Sequence, residues 1–100
     1  QHVKSHEEYK AAIASNPKVA IMFHASWCGH CKKMLPTWTE AASTSSIPFL
    51  AVDCEEVLPR EVMAGLGIQG FPTCVLMLNG QVVDTYGGDR TLGNILEWAI

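Results

Sequence analysis

One hundred residues, 48% hydrophobic and 17% charged, suit one small folding domain and are too apolar and too weakly charged for a disordered chain. Ten acids against seven bases leave a net charge of −3, with the bases scattered except for Lys32 and Lys33, which argues against nucleic acid or an anionic membrane as a partner. The longest apolar runs, Val19 to Phe23 and Val75 to Leu78, fall far short of the roughly 20 residues a membrane-spanning helix needs.

Ser5-His6-Glu7-Glu8 fits a capping box, with Ser5 at the N-cap and Glu8 at N3, and predicts a helix to about Ser15 with Tyr9, Ala12 and Ile13 on one face. Asn16-Pro17 ends it. Val19-Ala20-Ile21-Met22-Phe23 is apolar without alternation, as a central strand covered on both faces would be. After Ala25-Ser26-Trp27, helix-forming composition from Cys28 to about Ser43 sets Met34, Leu35, Trp38 and Ala42 on one face, with a kink expected at Pro36. Ser43 to Ser46 is a polar loop, Pro48 is tolerable at a strand edge, and Phe49 to Val52 make a second strand ending at Asp53. Strand, helix, strand implies a parallel crossover.

Leu58 to Leu66 suits a short helix closed by Gly67. Ile68 to Pro72 then leads into a strand from Thr73 to Leu78. Asn79-Gly80, the strongest hairpin signal in the chain, joins it to an antiparallel partner from Gln81 to Tyr86. Gly87-Gly88 ends the pair, and Leu92, Ile95, Leu96 and Ala99 mark a last amphipathic helix running to Ile100. The order predicts an α/β sandwich, a mixed central sheet with helices on both faces, in a single domain over residues 1–100. The start, Gln1-His2-Val3-Lys4, has neither an initiator Met nor a charged-then-apolar leader, as expected of a processed or excised domain, and the termini do not reveal a compartment.

Four cysteines are too few for a disulfide scaffold, so each is read singly. Trp27-Cys28-Gly29-His30-Cys31 lies where a buried strand hands over to a helix. Cys28 then falls at the helix N-terminus, exposed beside Trp27 and His30, with Cys31 one turn on. Unpaired N–H groups and the positive end of the helix dipole favour a thiolate there, which makes Cys28 the expected nucleophile. Cys31 is placed to attack a mixed disulfide between Cys28 and a substrate, and His30 adds an imidazole as donor or positive charge beside the thiolate.

The run Phe23-His24-Ala25-Ser26-Trp27-Cys28-Gly29-His30-Cys31-Lys32, with Gly70-Phe71-Pro72-Thr73 downstream, resembles the thioredoxin superfamily over essentially the whole chain. Cys-Gly-His-Cys is similar to the catalytic domains of protein disulfide isomerases, and Tyr86-Gly87-Gly88-Asp89-Arg90 resembles their segment carrying an arginine that approaches the active site. The resemblance implies a thioredoxin-like three-layer sandwich. It also implies a cis Pro72 against the cysteine pair, a Phe71 backbone that pairs with extended substrate, and Pro36 as the kink proline of the second helix. In isolation Pro72 would be expected trans, as most X-Pro bonds in folded proteins are. The resemblance further places a buried acid at position 22 and a lysine at position 49, where this chain has Met22 and Phe49. A thioether exchanges no proton, so release by Cys31 is expected to rely on water, His24, Arg90 or another route and to be slow.

Each signal has a plainer reading. Cys28 and Cys31 as half a zinc site are disfavoured, because Cys54 and Cys74 form no second close pair. Those two read as small buried hydrophobes, with regulatory oxidation or pairing as the alternative. His24 divides between a hydrogen-bonded structural residue and a proton carrier, and Arg90 between a site cation and a surface one. Trp27 and Gly29 belong with Phe71 and Pro72 to the substrate-binding surface; Trp38 and Trp98 read as packing or partly exposed residues of helix faces, and Lys32 and Lys33 as a solvated face. The expected function is thiol-disulfide exchange with cysteines of protein substrates, with glutathione or a redox protein as electron partner and no metal or cofactor beyond the cysteine pair. The alternatives are a thioredoxin-like reductase and a weakly active substrate-binding or chaperone module. The resemblance favours the endoplasmic reticulum lumen or secretory pathway, with the cytoplasm as the alternative.

Overall fold

The structure, a computed structural model, describes residues 2–25, 27–54, 60–68, 70–87 and 91–99. In chain order the elements are β1 (His2–Val3), α1 (His6–Ser15), β2 (Lys18–His24), α2 (Gly29–Thr44), β3 (Phe49–Asp53), α3 (Arg60–Leu66), β4 (Thr73–Leu78), β5 (Gln81–Thr85) and α4 (Leu92–Trp98). They build one sheet in the order β1-β3-β2-β4-β5. β3 runs parallel to β2 and β1, whereas β4 is antiparallel to β2 and β5 antiparallel to β4, so the sheet is mixed, as expected.

The unbroken apolar run of β2 is explained by its central place. Ala20 and Met22 enter a cluster with Cys31, Met34, Trp38 and Ala41 of α2 and Ile95 of α4. Val19, Ile21 and Phe23 face the opposite cluster, on which Tyr9, Ala12 and Ile13 of α1 and Val62 and Leu66 of α3 pack. Helices thus cover both faces, and burial of these alternate sets supplies the main stabilising term. Trp38, 1% exposed, anchors α2 to β3: its Nε1 donates to the Leu50 carbonyl at 2.9 Å and its ring lies 4.7 Å from that of Phe49.

Local signals set the element ends. Ser5 caps α1 by accepting the Glu8 N–H at 3.1 Å. The Glu8 carboxylate reaches back to the Lys4 N–H at 2.9 Å, one residue before the donor a standard capping box would use. Gly67, at φ +73°, follows α3; Asn79 and Gly80, at φ +52° and +81°, supply the two positive angles of a type I′ hairpin turn. Several boundaries differ from expectation. α2 continues to Thr44, β5 stops at Thr85 rather than Tyr86, and α4 stops at Trp98, with Ala99 as its C-cap. The buried face of α2 is Cys31, Met34, Trp38 and Ala41, with Leu35 and Ala42 only half-buried at its margins. The start expected for α3 at Leu58 lies outside the described residues.

Candidate active site

The central strand delivers the cysteine pair. β2 ends at His24, the Cys28 N–H donates to the Ala25 carbonyl at 3.1 Å, and α2 begins at Gly29 with Cys28 as its N-cap. The Lys32 N–H donates to the Cys28 carbonyl at 3.2 Å, the first turn of the helix. The Cys28 side chain turns back over that turn, and its Sγ accepts the Cys31 N–H at 3.2 Å, as the oxygen of a Ser or Asp cap would. One helical turn therefore links the two cysteines by a hydrogen bond from the amide of one to the sulfur of the other.

That capping geometry corrects one expectation. Cys28 is not exposed but 6% accessible, because its sulfur points into the helix turn and joins the cluster of Met22, Cys31, Met34 and Cys74. Cys31 is more deeply buried, at 1%. The exposed residues of the turn are Gly29 and His30, followed by Lys32 and Lys33, which form the solvated face expected of them. Trp27 is 67% exposed and meets Phe71 edge-on, ring centroids 5.7 Å apart and planes at 77°. Phe71 is half-buried against both clusters, and the Phe71–Pro72 peptide is cis. The loop before β4 is thus brought to the Trp27 side of the cysteine turn. Arg90 lies outside the described residues.

Behind the pair, Met22 is fully buried and stands in register with Ala51 on β3 and Cys74 on β4. Phe49, the position where the resemblance places a lysine, is 1% exposed and belongs to the same cluster. Both substituted positions are apolar, so neither leaves an unpaired charge in the core. Cys74 lies with its Sγ 3.8 Å from the Met34 sulfur. Cys54 follows β3, its N–H donating to the His24 carbonyl at 2.9 Å. Burial, then the charges of Asp53 and Cys31, push the Cys54 thiol up to about 12, against a backbone hydrogen bond with His24 that lowers it. A thiol held protonated in this way is a poor nucleophile. His24 itself is buried at the end of β2.

Sequence reasoning missed a hydrogen bond in the loop that carries Phe71. The Thr73 Oγ1 donates to the Gly70 carbonyl at 2.6 Å, and a Thr three residues after a Gly across Phe-Pro was its only advance signal. It also missed Asp84, which accepts from its neighbour Thr85 N–H and from Trp98 Nε1, both at 2.9 Å, and so ties β5 to α4. Among the described residues no group of three or more His, Cys, Asp or Glu side chains is placed to hold a metal ion, and no helix is long and apolar enough to cross a membrane.

The chain is 35% identical over 96 residues to a protein named probable protein disulfide-isomerase A4 from Caenorhabditis elegans, covering 96% of this chain and 15% of that protein. It is 40% identical over 96 residues to a mitochondrial thioredoxin domain-containing protein of Schizosaccharomyces pombe, covering 89% of this chain and 26% of that one. It therefore spans about a quarter or less of the length of these relatives. Among solved structures, thioredoxin from Plasmodium falciparum superposes with a TM-score of 0.84 at 33% identity, covering 100% of this chain and 99% of that one. With the thioredoxin family model matching residues 1–100 as well, the chain belongs to the thioredoxin family.

Proposed function

We propose that this domain is a thiol-disulfide oxidoreductase of the protein disulfide isomerase type, with Cys28 as nucleophile and Cys31 as resolving thiol. The observation that carries the reading is the Cys28 Sγ at the N-terminus of α2, accepting the Cys31 N–H at 3.2 Å. In the reducing direction the Cys28 thiolate attacks one sulfur of a substrate disulfide. The substrate S–S bond breaks, a Cys28–substrate disulfide forms, and one substrate thiolate leaves. Cys31 then attacks the Cys28 sulfur, closing the Cys28–Cys31 disulfide and releasing the second substrate thiolate. Two electrons pass to the substrate, and its two thiolates take up the Cys31 proton and one from solvent, the counterpart of the proton Cys28 gave up on ionising. Run backwards, the same steps oxidise a substrate dithiol. His30 supplies a donor or positive charge beside the reacting sulfur, Arg90 a further cation, and Trp27, Gly29, Phe71 and Pro72 the surface for an extended polypeptide. The cysteine pair suffices as the redox group, glutathione or a redox protein resets it, and the compartment implied is the endoplasmic reticulum lumen or secretory pathway.

Three measurements test this. Equilibration in a glutathione redox series should give a Cys28–Cys31 disulfide that glutathione reduces readily, and the protein should reshuffle a scrambled-disulfide substrate, an activity lost in Cys28→Ser. Brief alkylation of the reduced protein should label Cys28 before Cys31, Cys54 or Cys74. A disulfide resistant to glutathione favours a thioredoxin-like reductase, the reading to which the Plasmodium thioredoxin match lends weight.

The buried Met22 supports a second reading, a substrate-binding or chaperone module that turns over weakly, because no proton acceptor stands at that position. Suppressed aggregation of an unfolded protein, retained in Cys28→Ser, would select it.

A further inference from the structure

Thr73 opens β4, in register with Phe23 of the central strand. Its hydroxyl donates to the Gly70 carbonyl at 2.6 Å, and among the described residues no backbone hydrogen bond closes residues 70–73. Among the described residues the loop is thus held by the β4 ladder at one end, the Phe71 ring between Trp27 and the two clusters, and this side-chain bond. Phe71 is only half-buried and Gly70 is exposed, so packing alone restrains the backbone between them weakly.

We infer that Thr73 is a positioning residue for substrate: by tying the Gly70 carbonyl it holds the Phe71 backbone in the orientation an extended polypeptide must meet. This rests on the proposed use of Phe71 as a substrate-pairing position. The physical basis is preorganisation. A loop ordered before binding loses less entropy when a peptide adds to it, so the bond acts on affinity, and since Thr73 supplies no group to the Cys28 sulfur it leaves the thiol chemistry alone. The β-branched Thr suits the task, since its restricted χ1 keeps the hydroxyl aimed at Gly70 at little entropic cost.

The test compares wild type, Thr73→Val, which keeps the shape without the hydroxyl, and Thr73→Ser, which keeps the hydroxyl. With a peptide disulfide as substrate, Thr73→Val should raise KM about fivefold with kcat retained, the size expected on losing one partly exposed hydrogen bond. Thr73→Ser should recover most of it. In the free proteins, the backbone order parameter at Phe71 should fall from about 0.85 toward 0.6 in Thr73→Val and return in Thr73→Ser. That second readout needs no substrate, so it judges the loop even if the enzyme proves inactive on peptides, the outcome that would count against the proposed function instead. An unchanged order parameter in Thr73→Val, a fall in kcat with KM constant, or a Ser variant no better than Val overturns the inference.

Discussion

The amide of Cys31 is bonded to the sulfur of Cys28 at 3.2 Å, so the thiol proposed to react is also the cap of the helix that carries its partner. Forming a Cys28–Cys31 disulfide therefore acts on the very atom that caps the first turn of α2.

Capping and chemistry separate in two variants. Cys28→Ser keeps an acceptor for the Cys31 N–H and should hold stability within about 0.5 kcal/mol of the reduced wild type. Cys28→Ala leaves that amide without its cap and should cost about 0.5–2 kcal/mol. Disulfide exchange should vanish in both. Urea unfolding of the reduced proteins reads the difference, and an Ala variant as stable as the Ser variant would show that the sulfur does not cap.

Tyr9 and Cys54 give the fold an alkaline limit. Burial, then the neighbouring Cys54, pushes the Tyr9 phenol from 10.0 up to about 12, and burial, then Asp53 and Cys31, pushes the Cys54 thiol from 9.0 to about 12. Both raised values mean that the folded state holds the neutral forms while the unfolded chain ionises first. Their contribution to stability is complete below about pH 9 and is lost as pH rises toward about 12. Cys54→Ala should accordingly lose less stability than wild type between those limits. Urea midpoints measured across the range check this, and parallel decline in the two proteins would remove Cys54 from the account.

Much of this was legible in the chain because it depends on local pattern. The continuous run Val19 to Phe23 marks a strand covered on both faces, Asn79-Gly80 marks a hairpin, and the spacing of Cys28 and Cys31 is one helical turn. What escaped depends on direction or on partners remote in sequence. β1 is two residues, His2 and Val3, too short to carry a period, and exists through pairing with Ala51 and Val52. Whether an N-cap side chain faces solvent or folds over its helix is not a property of spacing, so Cys28 read as exposed. The Asp84–Trp98 tie depends on how α4 returns to β5, which no local window contains.

Replacing Met22 by Glu probes the missing proton acceptor. Met22 is fully buried in one cluster with Cys28 and Cys31, so a carboxylate there would lie near the resolving thiol and should shorten the lifetime of a mixed disulfide on Cys28. The cost follows from the same burial. With Phe49 rather than a cation in that cluster, the acid would be desolvated without a charged partner, and stability should fall by about 3 kcal/mol. Acid quenching of a mixed disulfide formed with a peptide measures the first effect. If a folded Met22→Glu variant resolves no faster than wild type, proton transfer does not limit release.

Changing His30 to Pro tests the remaining side chain between the cysteines. His30 is the second residue of α2, within the turn whose N–H groups have no intrahelical acceptor, so a proline there removes no helix hydrogen bond and the fold should persist. The electrostatic effect has a definite sign. The role proposed for His30, stabilising a Cys28 thiolate, belongs to the reduced protein, so losing it should make the disulfide harder to reduce and the potential more negative. Because His30 is exposed, solvent screens it, and the shift should stay within about 30 mV, a tenfold change in the equilibrium of this two-electron couple. Glutathione titration of both proteins at about pH 7 reads that shift directly, with thermal unfolding as the control for the helix. An unchanged potential in a variant of unchanged stability would leave His30 no electrostatic part, and a less negative one would reverse its sign.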